Sequence, residues 1–108
     1  MDSGGVQTKI GFIGAGNMAE ALIKGIVSAG LASKEEIIAG EASAERRELI
    51  ARTHGIRVTS DNVEVVRNAN LIVLALKPNN VSMVMEELKP YLTIDHLLVS
   101  IAAGVRFC

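Results

Sequence analysis

The chain has 108 residues with a formal net charge of −1, and 49% of its residues are hydrophobic while 21% are charged. This composition suits a single folded domain that buries a core, and it excludes an intrinsically disordered segment. Aromatic residues make up only 3% of the chain and no basic stripe is visible, so nucleic acid is not expected as a partner.

The cysteine content and the apolar runs indicate the environment of the protein. Cys108 is the only cysteine, so there is no disulfide framework, and no Cys/His cluster has the spacing of a zinc site. The longest apolar run, Leu71–Leu76, is far shorter than the roughly 20 residues that span a bilayer. Residues 1–8 form a short polar segment without the apolar core of a signal peptide. We expect a flexible N-terminal lead over residues 1–8, no metal, no membrane association and a soluble cytoplasmic protein.

A glycine-rich turn follows the first apolar run. Residues 9–13 have the length and composition of a buried strand, and residues 17–29 have the pattern of a helix. Between them, Gly14, Gly16 and Ala19 form a G-x-G-x-x-A string, which is typical of dinucleotide-binding proteins when it joins a strand to a helix. The first N–H groups of such a helix lack intrahelical partners and favour a phosphate. The alternative is a tight turn that binds nothing.

The rest of the chain alternates between strand and helix patterns. In the first helix, the spacing of Met18, Leu22, Ile26 and Ala29 predicts the apolar stripe. Later strands are expected at residues 37–40, 56–59, 71–76 and 97–101. Later helices are expected at residues 44–54 (capped by Ser43), 62–68 (capped within residues 60–62) and 81–88 (capped by Asn79 or Asn80).

This alternation predicts an α/β fold, a Rossmann-like doubly wound parallel sheet with helices on both faces. The loops at residues 14–18, 41–43, 76–78 and 102–104 would then meet at the carboxyl edge of the sheet, where such sheets bind ligands.

The residues after the second strand give conflicting signals about the cofactor. Glu41 lies 22 positions after Ala19, close to the offset of about 20 expected for an acid that bonds the ribose hydroxyls of NAD. Ser43, Arg46 and Arg47 follow closely, and a hydroxyl with guanidinium groups suits the 2′-phosphate of NADP. The arginines could equally form a solvated helix face. Cofactor preference therefore stays open.

Several other candidate residues have simpler interpretations. Lys77 follows a buried strand, where the middle of a cofactor would pass, although it could be an ordinary exposed loop lysine. His54 and His96 have no spaced metal partner and no nearby nucleophile. Three methionines are better explained by packing than as ligands: Met18, Met83 and Met85.

Three segments together resemble one family, the N-terminal domain of pyrroline-5-carboxylate reductase. They are residues 10–18 (IGFIGAGNM), 75–78 (ALKP) and 100–105 (SIAAGV), and they occur in the family's order and at similar distances. The last segment is the most specific, because the glycine fingerprint is shared with many dehydrogenases. The similarity extends over residues 9–105.

The resemblance implies reduction of the C=N bond of pyrroline-5-carboxylate to give proline, with NADP(H) or NAD(H) as cofactor. It also implies a small-molecule imine substrate and a homo-oligomer in the full-length form. Glu41 and Ala42 depart from the family's commoner Asn-Arg-Ser pattern, so the resemblance does not imply a strict NADPH preference. With Glu41 and Arg46 added from the residues themselves, the expected cofactor-binding set is Ile13, Gly14, Ala15, Gly16, Asn17, Met18, Glu41, Ser43, Arg46, Asn62, Ala75, Leu76, Lys77, Pro78, Ala102 and Ala103.

We expect residues 9–108 to be a dinucleotide-binding domain that is incomplete at its C-terminal end. The family's helical domain, which forms the dimer and much of the imine site, would be absent. No residue is a convincing general acid, so no catalytic residue is assigned and the 108 residues alone are not expected to turn over. The alternatives are a domain like that of 6-phosphogluconate or hydroxyacid dehydrogenases, and a non-catalytic dinucleotide-binding module.

Overall fold

The computed structural model describes residues 9–102, which form a five-stranded, fully parallel sheet. The order of the strands is β3-β2-β1-β4-β5, so β1 lies at the centre. The predicted Rossmann-like doubly wound fold is confirmed. The strands are β1 (Ile10–Ile13), β2 (Ile37–Gly40), β3 (Arg57–Thr59), β4 (Leu71–Leu76) and β5 (Leu97–Ala102).

Between residues 9 and 102, four helices cover the two faces of the sheet in pairs. One face carries α1 and α2, whose Ile23 and Ile50 pack in one core cluster with Phe12. The other face carries α3 and α4, whose Val65 and Leu88 belong to the second core cluster. The helices are α1 (Asn17–Ser28), α2 (Ala44–His54), α3 (Asn62–Asn68) and α4 (Pro78–Leu88), with short 3-10 turns at Lys34–Glu36 and Lys89–Tyr91.

The strand order explains which helices lie on each face of the sheet. The chain moves outward from β1 to β2 and β3 with α1 and α2 on one face, and then crosses to β4 on the opposite side of β1. Right-handed crossovers in the opposite direction place α3 and α4 on the other face. Every residue of β1 and β2 is buried, as expected for central strands covered on both faces. Within the described residues, no helix is long and apolar enough to cross a membrane.

The predicted apolar stripe of α1 is correct only in part: Ile26 packs against the core cluster that contains Phe12, but the other members of the stripe are exposed. The buried residues of this helix are Ala19 and Ile23, whereas Met18 and Leu22 are exposed. Apolar residues surround most of α1, so two different faces satisfy the three-and-four spacing. The direction in which the glycine turn leaves β1 decides which face meets the sheet, and periodicity carries no information about that direction.

The start of α4 also differs from the prediction. The helix begins at Pro78 with Lys77 as its N-cap, and not after Asn79 or Asn80. Proline suits the first helical position because its ring sets a helical φ and because no N–H is needed there. Two predicted caps are confirmed: Ser43 Oγ accepts a hydrogen bond from the Arg46 N–H, and Asp61 Oδ1 accepts one from the Val63 N–H.

Candidate functional site

The carboxyl ends of the central strands enclose an open cleft of about 310 Å³. Three of the four predicted loops, those after β1, β2 and β4, meet there, and Ser60 after β3 also lines the cleft. The fourth predicted loop, at residues 102–104, extends beyond the described residues. The cleft brings together five residues of the expected cofactor-binding set: Ile13, Gly14, Glu41, Asn62 and Leu76.

The glycine turn after β1 has a conformation that suits a pyrophosphate. Gly14 has a φ of +97°, and a Cβ at this position would lie 2.5 Å from the carbonyl oxygen of Ala75. A Cβ at Gly16 would meet no described heavy atom within 4 Å, so the main chain is open to a ligand there. Gly16 is the N-cap of α1, and within the described residues no side chain caps this helix. The turn therefore offers uncapped N–H groups beside open space, which fits an anionic phosphate.

Glu41 links the glycine turn to the loop after β2. Its Oε1 accepts a hydrogen bond of 2.9 Å from the Ala15 N–H, and its Oε2 accepts one of 3.0 Å from the Ser43 N–H. The backbone N–H of Glu41 donates to the Thr59 carbonyl oxygen. Both carboxylate oxygens thus already have protein partners at the position where the sequence predicted a ribose-binding acid.

Arg46 extends from α2 under the glycine turn. Its Nε donates to the Ala15 carbonyl oxygen at 2.6 Å, and its Nη2 donates to Glu20 Oε1 at 2.9 Å. A longer contact of 3.4 Å joins Nη2 to Asn17 Oδ1. The guanidinium group predicted to bind a 2′-phosphate is therefore bonded to the protein on the side that faces the turn.

Glu20 has a second partner that the sequence reasoning missed. His54 Nε2 lies 2.9 Å from Glu20 Oε2, so one carboxylate joins the last turn of α2 to the first turn of α1. The hydrogen bond from His54, and then the bond and charge of Arg46, lower the pKa of Glu20 despite the partial burial of its carboxyl group. Because Glu20 and His54 are separated by 34 residues, no local sequence signal could have paired them.

The other histidine has a structural partner. His96 Nδ1 accepts a hydrogen bond from the Thr93 N–H, and Nε2 lies 2.9 Å from the Val66 carbonyl oxygen. This ring connects the loop before β5 to α3. Within residues 9–102, no three His, Cys, Asp or Glu side chains are grouped so that they could hold a metal ion.

Three more of the predicted residues, Lys77, Pro78 and Ala102, lie along the same edge. Lys77 and Pro78 are exposed at the start of α4, directly after β4. Ala102 pairs in register with Leu76, so the ends of β4 and β5 are level, while Ala103 lies outside the described residues. The packing interpretation of the methionines holds for Met85.

That interpretation is wrong for the other two methionines. Met83 is exposed and lines the cleft, and Met18 is exposed at the start of α1, whereas Met85 packs against the second core cluster. The spacing of α4 places Met85 toward the sheet and Met83 toward solvent at the rim.

Comparison with known proteins confirms the resemblance inferred from the motifs. A pyrroline-5-carboxylate reductase of Methanosarcina acetivorans is 42% identical over 97 residues, which cover 90% of this chain and 36% of that protein. The structure of a pyrroline-5-carboxylate reductase from Coxiella burnetii matches with a TM-score of 0.84 at 34% identity, and the match covers 94% of this chain and 37% of that one.

A further solved relative is pyrroline carboxylate reductase from Plasmodium falciparum, whose structure has NADP bound. It matches with a TM-score of 0.76 at 33% identity, over 92% of this chain and 35% of the other. The chain thus spans about a third of the length of these relatives. A family model described as NADP oxidoreductase coenzyme F420-dependent matches residues 9–104. Because this match covers most of the chain, the protein belongs to that NADP oxidoreductase family.

Proposed function

We propose that the carboxyl edge of the sheet binds NADP(H) or NAD(H) for the reduction of 1-pyrroline-5-carboxylate to L-proline, a step of proline biosynthesis. The observation that carries this proposal is the uncapped N-terminus of α1, which faces open space at Gly16. Relatives that bear the name of this reductase, one of them with NADP bound, support the reaction class. The chain spans about a third of the length of those relatives, so we propose the complete reaction only for a protein of their full length.

The described residues suit distinct parts of a dinucleotide. The first turn of α1, with Asn17 and Met18, would hold the pyrophosphate through backbone N–H groups and the helix dipole. Ser43 and Asn62 follow the ends of β2 and β3 and would lie on the adenosine side. Leu76 and Ala102 are register partners at the ends of β4 and β5 and would line the nicotinamide side, with Ala75, Lys77 and Pro78 adjacent.

The reaction adds a hydride to the imine carbon and a proton to the imine nitrogen. A bound reduced nicotinamide supplies the hydride, and the role of these residues is to hold and orient it. Residues 9–102 contain no side chain to which we assign proton transfer. We therefore keep the prediction that the 108 residues bind cofactor without sustained turnover. The expected cytoplasmic location and the homo-oligomeric assembly of the full-length form also stay predictions.

The direct test is calorimetric titration of the purified protein with NADPH and, separately, with NADH. In parallel, Gly16→Ala adds a methyl group where the pyrophosphate would approach but where no described atom is nearby. We expect this variant to fold normally and to lose at least tenfold in affinity for both cofactors. Gly25→Ala is the matched control, because Gly25 lies in the same helix and a Cβ there also meets open space.

Four outcomes are informative. Cofactor binding that is lost in Gly16→Ala and kept in Gly25→Ala supports the proposed site. If both variants retain binding, the cofactor does not bind at the glycine turn. If the wild type binds neither cofactor, the proposal is rejected. Steady imine-dependent oxidation of NADPH by the 108-residue chain would support the activity but contradict the prediction that this chain does not turn over.

A further inference from the structure

We propose that Arg46 is a positioning residue that, together with Glu41, clamps the peptide groups on both sides of Ala15 and holds the glycine turn ready for a dinucleotide. This inference rests on the proposed function for its ligand, and it replaces the expectation that Arg46 binds a 2′-phosphate. It predicts that Arg46 affects both cofactors equally and does not select between them.

The geometry around Ala15 carries the proposal. Glu41 Oε1 accepts from the Ala15 N–H at 2.9 Å, and Arg46 Nε donates to the Ala15 carbonyl oxygen at 2.6 Å. The two side chains come from the loop after β2 and from α2, so both peptide groups are held by elements distant in sequence. Hydrogen bonds to charged groups are the stronger class, and two of them act on a single residue.

Further contacts hold the guanidinium group of Arg46 in place. Arg46 Nη2 donates to Glu20 Oε1 at 2.9 Å, and the other oxygen of Glu20 is 2.9 Å from His54 Nε2. The side chain of Arg46 is only 23% exposed and that of Glu20 is 27% exposed. With its guanidinium bonded on two sides, Arg46 cannot swing to a ligand without losing these contacts.

The glycine turn needs such support because its own sequence provides none. Gly14 and Gly16 have wide conformational freedom in the unfolded chain, and within the described residues no side chain caps α1. A turn that is ordered only on binding would add its ordering cost to the free energy of association. Bonds that hold the turn in the unliganded protein remove that cost, which is how a supporting shell strengthens a site.

The first experiment compares cofactor affinities of Arg46→Ala, Arg46→Lys and the control Arg52→Ala. Arg52 lies on the same helix, with its side chain 68% exposed and 3.7 Å from Glu48, so its removal leaves the turn unaffected. We expect Arg46→Ala to lower the affinities for NADPH and NADH by the same factor, about tenfold or more. Arg46→Lys can keep one donor but not the planar, forked arrangement of donors, so its cofactor affinities should lie between those of the wild type and Arg46→Ala.

If Arg46→Ala lost affinity for NADPH alone, the proposal would be overturned, because this result would show that Arg46 contacts the 2′-phosphate. Unchanged binding of both cofactors by Arg46→Ala would also overturn it. If the wild type binds neither cofactor, the proposed function fails. A second experiment, which needs no ligand, still tests the positioning role of Arg46.

The second experiment needs no ligand and measures amide hydrogen exchange in the unliganded protein. In Arg46→Ala we expect the amides of Gly14 and Ala15 to exchange about tenfold faster, while amides in β4 and β5 keep their wild-type rates. Arg52→Ala should change neither group. Equal acceleration throughout the sheet would indicate a general loss of stability, and unchanged exchange at Ala15 would show that no clamp exists; either result would contradict the proposal.

Discussion

Two turns at the same edge of the sheet are built in different ways. The glycine turn after β1 is held by side chains that lie 26 and 31 residues further along the chain, Glu41 and Arg46. The turn after β4 is held locally, by the ring of Pro78 and by a bond of 2.9 Å from the Asn80 N–H to the Lys77 carbonyl oxygen.

The difference shows that the conformational freedom of a turn can be removed either by its own residues or by contacts with distant ones. A proline ring sets its own φ, so the second turn is largely determined by covalent geometry. Glycine has no such preference, and the first turn gains its shape from contacts with α2 and the loop after β2. Changes at the first turn should therefore disturb the protein far more than changes at the second.

The largest effect is expected from Gly14→Ala. A φ of +97° is unfavourable for alanine, and its Cβ would lie 2.5 Å from the Ala75 carbonyl oxygen in the neighbouring strand. We expect a loss of about 3 kcal/mol or more in the free energy of unfolding, measured by chemical denaturation. Gly25→Ala, in a helix with open space around it, should instead stabilise by about 0.5–1 kcal/mol. Similar stabilities for the two variants would show that the turn is not constrained.

A smaller effect, dependent on pH, is expected from Glu20→Gln. The groups that face this carboxyl are His54 and Arg46, and Lys24 lines the same cavity between α1 and α2. The pKa of Glu20 is lowered from its ordinary value of 4.5, mainly by the hydrogen bond from His54. The folded state therefore favours the carboxylate, and this stabilisation is complete above the ordinary pKa and is lost as the pH falls through the lowered value.

The wild type should accordingly be more stable than Glu20→Gln at neutral pH, and the gap should close in acid below pH 4.5. Thermal unfolding of both proteins across this range is the measurement. A gap that stays constant with pH would mean that the charge of Glu20 does not contribute.

The smallest effect is expected from Pro78→Ala. Alanine tolerates the first position of a helix, and the Asn80 to Lys77 backbone bond does not need the ring. The cost comes from the greater freedom of the unfolded chain and should stay below about 1 kcal/mol. Chemical denaturation next to Gly14→Ala provides the comparison, and a loss as large as that of Gly14→Ala would contradict the contrast between the two turns.

Much of the fold could be predicted because its signals are local. The bounds of β2, α2 and β4 agree with the prediction, since apolar runs, the Ser43 cap and Gly55 mark them within a few residues. The apolar face of α1 could not be predicted, because its residues are apolar on several sides and only contact with the sheet distinguishes Ile23 from Leu22.

The candidate site divides in the same way. The sequence alone determined the strand–turn–helix order, the position of the glycine turn and the meeting of the loops after β1, β2 and β4 at one edge, because these depend on spacing and on residues with special backbone preferences. The fourth loop predicted there, at residues 102–104, extends beyond the described residues. Only the tertiary structure decided what Glu41, Arg46 and His54 do. Each of them has a partner 26 to 34 residues away, and the pairing of β2 with β1 and the packing of α2 beside α1 bring these partners within hydrogen-bonding distance.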